Sequence, residues 1–106
     1  MLKAELDEAG LASMPYGSTP IFDQTSLPDA LRQKHDTKAG VWGRIRVLEG
    51  QLLLTILDPP GEVILAPGRP GTVLPQQPHF VTPLGPMRMQ VDFYKAPPSP
   101  DHKPIL

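Results

Sequence analysis

The chain has no cysteine among its 106 residues, which excludes disulfides, thiolate metal sites and cysteine nucleophiles together. Stability must therefore come from packing. An excess of charge of either sign is missing too: 10 basic and 11 acidic side chains leave a formal net charge of -1. Without a basic field, and with basic residues spread rather than clustered among aromatics, a nucleic-acid groove is not expected. No apolar run approaches the roughly 18 residues of a membrane helix. The amino terminus, MLKAELDEAG, is acidic and carries no secretory apolar stretch. Phosphate loops, dinucleotide fingerprints and the Gly-x-Ser-x-Gly elbow are all missing. The expectation is a soluble cytoplasmic domain, one folded unit, with neither nucleic acid nor membrane as a partner.

What the chain has in quantity is turn chemistry: 15 prolines and 9 glycines. Most stand between apolar segments rather than within them, which argues for order. Three parts are expected: an amino-terminal segment over residues 1–17, a folded domain over 18–96 and a proline-rich tail over 97–106. In the first, residues 2–9 suit a helical turn or two. Ser18-Thr-Pro-Ile-Phe22 reads as a short extended segment, Pro20 suiting an edge. Ser26 reads as the N-cap of a two-turn helix ending near Lys34, with Pro28 in its first turn and Leu27, Ala30 and Leu31 on one face.

From Val41 onward, alternation takes over. Strands are expected over residues 44–47, 51–57, 62–66, 72–74, 79–82 and 87–94, with Glu49-Gly50 as a tight hairpin connection. Met89, Val91 and Phe93 alternate against Arg88, Gln90, Asp92 and Tyr94. Short strands with turns roughly every 8–12 residues indicate an antiparallel sandwich or small barrel, not alternating β and α units. The expected class is all-β with one short helix.

Two segments carry a family resemblance. One is Ser18-Thr-Pro-Ile-Phe22, Leu27-Pro28 and Lys34-His-Asp-Thr-Lys-Ala-Gly-Val-Trp-Gly43, followed by Ile45, Val47 and Gly50. The other is Leu74-Pro-Gln-Gln-Pro-His-Phe-Val81, followed by Val91-Asp-Phe-Tyr94. Together they resemble the small cupin-like domain found at the amino end of some tellurite-resistance TehB proteins and alone in YeaR-like proteins. The resemblance implies a cupin-like double-stranded β-helix, a jelly-roll barrel. It also suggests a link to tellurite, other oxyanions or stress response. The longer TehB proteins continue into an S-adenosylmethionine-dependent methyltransferase, and no methyltransferase activity is expected of these residues.

Within that resemblance, His35 and His79 are the chemistry-bearing residues. In metal-binding cupins the first motif offers two histidines and a glutamate, and the second offers another histidine. His79 follows the turn at Pro75-Gln-Gln-Pro78 as the second-motif histidine follows its proline turn. His35 falls near the start of the first motif, whose glutamate position lands near Trp42 or Gly43. The complete set is therefore absent. A metal usually takes three or four protein ligands, or three plus water. Asp92 is the candidate third ligand and Gln90 a further oxygen donor, unless Asp92 pairs with Arg44, Arg46 or Arg88. The expected metal set is His35, His79 and Asp92, holding one divalent zinc, iron, manganese or nickel ion. The expected ligand contacts are His35, His79, Trp42 and Gln90, with Phe80, Phe93 and Tyr94 as further aromatic candidates. Lys38 could attract an anion, and Gly40 gives the backbone room to approach one.

The leading expectation is a binding module for a small molecule or metal, more binding than catalytic. The alternatives are a small metal-dependent cupin enzyme (a dioxygenase or isomerase) and a structural or partner-binding subunit. Open barrels present edge strands, so a homodimer is also expected.

Overall fold

Alternating side chains need a second apolar surface to bury against, and the chain supplies it by folding its strands into two facing sheets. The computed structural model describes residues 14–98. The expected helical turns at residues 2–9, and the tail beyond residue 98 with His102, lie outside the described residues. Those described form eight strands: β1 (Gly17–Ser18), β2 (Phe22–Asp23), β3 (Trp42–Glu49), β4 (Leu52–Leu57), β5 (Pro60–Leu65), β6 (Gly71–Val73), β7 (His79–Pro83) and β8 (Arg88–Tyr94). One sheet has the order β1-β8-β3-β6, with β2 also paired to β8; the other has the order β5-β4-β7. Every pairing is antiparallel. The all-β class expected from the alternation holds.

The two sheets share one core. Ile45, Val47, Val73, Met89 and Val91 from the first pack with Leu52, Leu54, Leu65 and Val81 from the second. Leu52, Leu54, Leu65, Met89 and Val73 are fully buried; each such side chain contributes roughly 1.5–3 kcal/mol on leaving water. At Gly71 the sheets come so close that a Cβ would stand 2.9 Å from Leu54 Cδ2. Among the described residues, no helix is long and apolar enough to cross a membrane.

Two local expectations need correction. Glu49-Gly50 does not close a hairpin, because β3 pairs with β6 and β8 while β4 pairs with β5 and β7. Gly50, at φ +75°, instead turns the chain from one sheet to the other, beneath the carbonyl of Pro86. The first true hairpin joins β4 to β5 through Asp58 and Pro59, which are linked by a cis peptide bond.

The two-turn helix is likewise reduced to a single 3-10 turn, Asp29–Leu31. Ser26 does not cap it. The Ser26 hydroxyl accepts from the Asp23 amide, while the Asp23 carboxylate accepts from the amides of Thr25 and Ser26 and the Thr25 hydroxyl. Local side-chain bonds of this kind compete with helix formation. The hydrogen bond from Thr25, with those from Ser26, lowers the Asp23 pKa to about 2.

A two-histidine cavity inside the barrel

The turn before β7 and the loop before β3 are stitched together, and that stitching brings the two histidines into contact. Gln76 adopts a left-handed conformation, φ 61°. Its amide donates to both the carbonyl and the hydroxyl of Thr37, each at 3.1 Å. The Thr37 hydroxyl in turn donates to the Leu74 carbonyl at 3.2 Å. One step further along, His35 and His79 exchange backbone hydrogen bonds of 3.0 and 2.9 Å. Their rings lie 4.1 Å apart between centroids, tilted by 56°.

Each ring is oriented by a carbonyl two residues earlier. His35 Nδ1 lies 2.9 Å from Gln33 O, and His79 Nδ1 lies 2.7 Å from Gln77 O. A carbonyl oxygen only accepts, so both Nδ1 atoms carry the proton. In the neutral rings both Nε2 atoms are then acceptors, and no described residue hydrogen-bonds to either. His79 is 3% exposed. Burial holds its pKa below the ordinary histidine value, and the neighbouring His35 adds to the effect; the Gln77 carbonyl and Asp36 oppose it.

The pair faces a cavity of about 380 Å³. Its walls are the inward side chains of the sheets, Ile45, Val73, Val81, Met89, Val91 and Phe93. Leu31 and Val41 close it on the loop side, where Asp36, Thr37 and Lys38 bring polar groups. Tyr16 and Thr19 complete the rim from the strand edge. A concave, largely apolar site with a few converging polar groups is the usual form of a small-molecule pocket.

The other expected site residues are placed elsewhere. Trp42, Gln90 and Asp92 are not among the cavity-lining residues. In β3 and β8, Gly43, Ile45, Val47, Met89 and Val91 turn inward, so the residues alternating with them turn to the opposite face. There Asp92 accepts from Arg46 Nε at 2.6 Å and from the Ser18 hydroxyl at 2.7 Å. Gln90 accepts from Arg46 at 2.7 Å and donates to Thr19 O at 2.8 Å. Burial alone would raise the Asp92 carboxyl, but the Arg46 and Ser18 hydrogen bonds and the charges of Arg46 and Arg44 outweigh it, holding it below its ordinary value. Of the expected aromatics only Phe93 lines the cavity. Tyr16 lines it without any signal in the sequence, since it sits in no periodic segment, and Leu31, expected on the face of a short helix, lines it from the loop instead.

Among the described residues, the donor set does not fit a resident metal. Nδ1 anchoring on carbonyls is the arrangement that orients metal-ligating histidines. Two imidazoles nevertheless fall short of the usual three or four ligands. The described residues include no group of three His, Cys, Asp or Glu able to hold a metal ion. With metal–nitrogen bonds of about 2.0–2.1 Å, two imidazoles on a tetrahedral ion would have centroids about 5 Å apart. Rings 4.1 Å apart are in mutual contact instead.

Two antiparallel sheets enclosing a site at one end define a small cupin-like β-barrel. Residues 17–91 match the model of the TehB-like domain, and the chain belongs to that family. The probable S-adenosyl-L-methionine-dependent methyltransferase TehB of Haemophilus influenzae is 39% identical over 49 residues, 46% of this chain and 17% of that protein. The crystal structure of TehB from Haemophilus influenzae superposes with a TM-score of 0.70 at 31% identity, over 76% of this chain and 30% of that one. A protein from E. coli strain K12 superposes with a TM-score of 0.73 at 20% identity, over 81% of this chain and 93% of that one. The structure of FeII HppE is similar in fold, with a TM-score of 0.54 at 23% identity, over 70% of this chain and 40% of that one.

Proposed function

We propose that the protein is a non-catalytic binding module that takes a small molecule into the cavity beneath the His35–His79 pair. The observation that carries this reading is the cavity itself: about 380 Å³ inside the barrel, apolar on its strand walls, with two oriented imidazoles at one end, His79 buried and His35 half-buried. Apolar walls supply affinity through burial, and the paired rings supply orientation. Methyl transfer is named for relatives of which this chain spans 17%, and it is not proposed here. The dioxygenase or isomerase reading needs a metal held by at least three donors, and the two histidines do not support it.

Ligand-detected NMR with a library of small aromatic and aliphatic compounds tests the module reading. Binders should compete with one another for a single site. They should be lost in Val41→Trp, which fills the cavity from its half-buried loop side. Binding that persists unchanged in Val41→Trp, or no binding by any compound, would remove the cavity from the protein's function. The structural or partner-binding reading would then stand in its place.

A further inference from the structure

The cavity's donors, Tyr16 and Lys38, are exposed at its rim, and the polar side-chain atoms at the histidine end are of one kind, which restricts what can seat there. Both Nδ1–H groups are spent on the carbonyls of Gln33 and Gln77. The Thr19 hydroxyl donates to Pro20 O at 2.8 Å and accepts from the Val91 amide at 3.1 Å. The Thr37 hydroxyl donates to Leu74 O and accepts from the Gln76 amide. Neither threonine has a hydrogen left for a guest. Among the described residues, the histidine side chains therefore present acceptors to a guest, the two Nε2 lone pairs, and no donor.

An anion placed there meets two lone pairs, with the Asp36 carboxylate also on the lining. Lys38, the lining's cation, is exposed. A cationic guest would lose its hydration against aliphatic walls, which is costly without an opposite charge at the same depth. A neutral hydroxyl avoids both penalties. Its O–H satisfies an Nε2, and its apolar body covers Val73, Val81 and Val91.

We propose that the ligand is a small neutral hydroxyl compound, a phenol or alcohol with a compact apolar body, whose O–H donates to the Nε2 of the His35–His79 pair. The proposal rests on the cavity being a binding site. It disfavours the oxyanion that the family resemblance suggests, because such a guest would need donors at this depth.

Three probes sharing one ring decide it at pH 7.5: p-cresol, 4-fluorotoluene, which keeps the size but has no donor, and p-toluate, which is an anion. Their affinities are measured by calorimetry and ligand-detected NMR on the full chain. We expect p-cresol to bind at least ten-fold more tightly than either of the others. In His79→Phe the preference over 4-fluorotoluene should fall below three-fold while 4-fluorotoluene still binds. His35→Phe, on the loop, serves the same purpose should the buried variant not fold. Equal binding of p-cresol and 4-fluorotoluene, or tighter binding of p-toluate, overturns the hydroxyl proposal and leaves the binding module intact. Failure of all three to bind, while the folded protein also binds no library compound, overturns both.

Discussion

His79 and Asp92 are both buried and titratable, yet their environments make them respond to acid in different ranges. His79 has a folded pKa below its unfolded value of about 6.5, so the unfolded chain binds the proton more readily. Stability should therefore fall as pH drops below about 6.5 towards the folded value. Urea midpoints at pH 7.5 and 5.5 should show this loss, and His79→Asn, which keeps a donor for Gln77 O, should show less of it. Asp92, also lowered, contributes stability above about pH 3.9 that is lost as pH falls through its folded value. Asp92→Ala should cost about 1–3 kcal/mol at neutral pH, because it strips Arg46 and Ser18 of their shared acceptor. Probe binding in the cavity should be unchanged, since Asp92 lies on the other face of β8. A matching loss of binding in the folded variant would return Asp92 to the site.

Turns decide how the strands connect, and a glycine at a turn, Gly50, can be set against one inside a strand, Gly61 of β5. Gly50→Ala would place a Cβ 2.2 Å from the Pro86 carbonyl oxygen at φ +75°. It should destabilise by at least about 2 kcal/mol. Gly61→Ala meets nothing within 4 Å and should shift the melting temperature little in either direction. Calorimetry of the two variants side by side checks the contrast. The strands themselves were legible because alternation and proline-glycine punctuation are local signals: the expected 79–82 is His79–Pro83, and the expected 87–94 is Arg88–Tyr94. Partner choice was not legible. Nothing in Glu49-Gly50 distinguishes a hairpin from a corner between sheets. The helix was over-read because Ser26 is bound to the Asp23 turn, a competition that a propensity pattern does not register.

The candidate site was half visible in the chain. His35 and His79 stood out as residues, and the barrel brings them together across 44 positions of sequence (79 − 35). Alternation along β8 already set Gln90 and Asp92 against Met89, Val91 and Phe93; closure of the two sheets turned the apolar set inward. The loop over residues 35–41 has no period to read, so Val41 emerged as a lining residue only with the fold, whereas His35 and Lys38 stood out by their chemistry. That loop is tied to β7 by two reciprocal backbone bonds, His35 N to His79 O and His79 N to His35 O. Neither bond can break alone if the loop lifts as a unit. The two amides should then exchange with deuterium at one shared rate set by a single opening event, and a guest seated beneath the rings should slow both by the same factor. Hydrogen exchange at just two amides would thus time the door of the barrel.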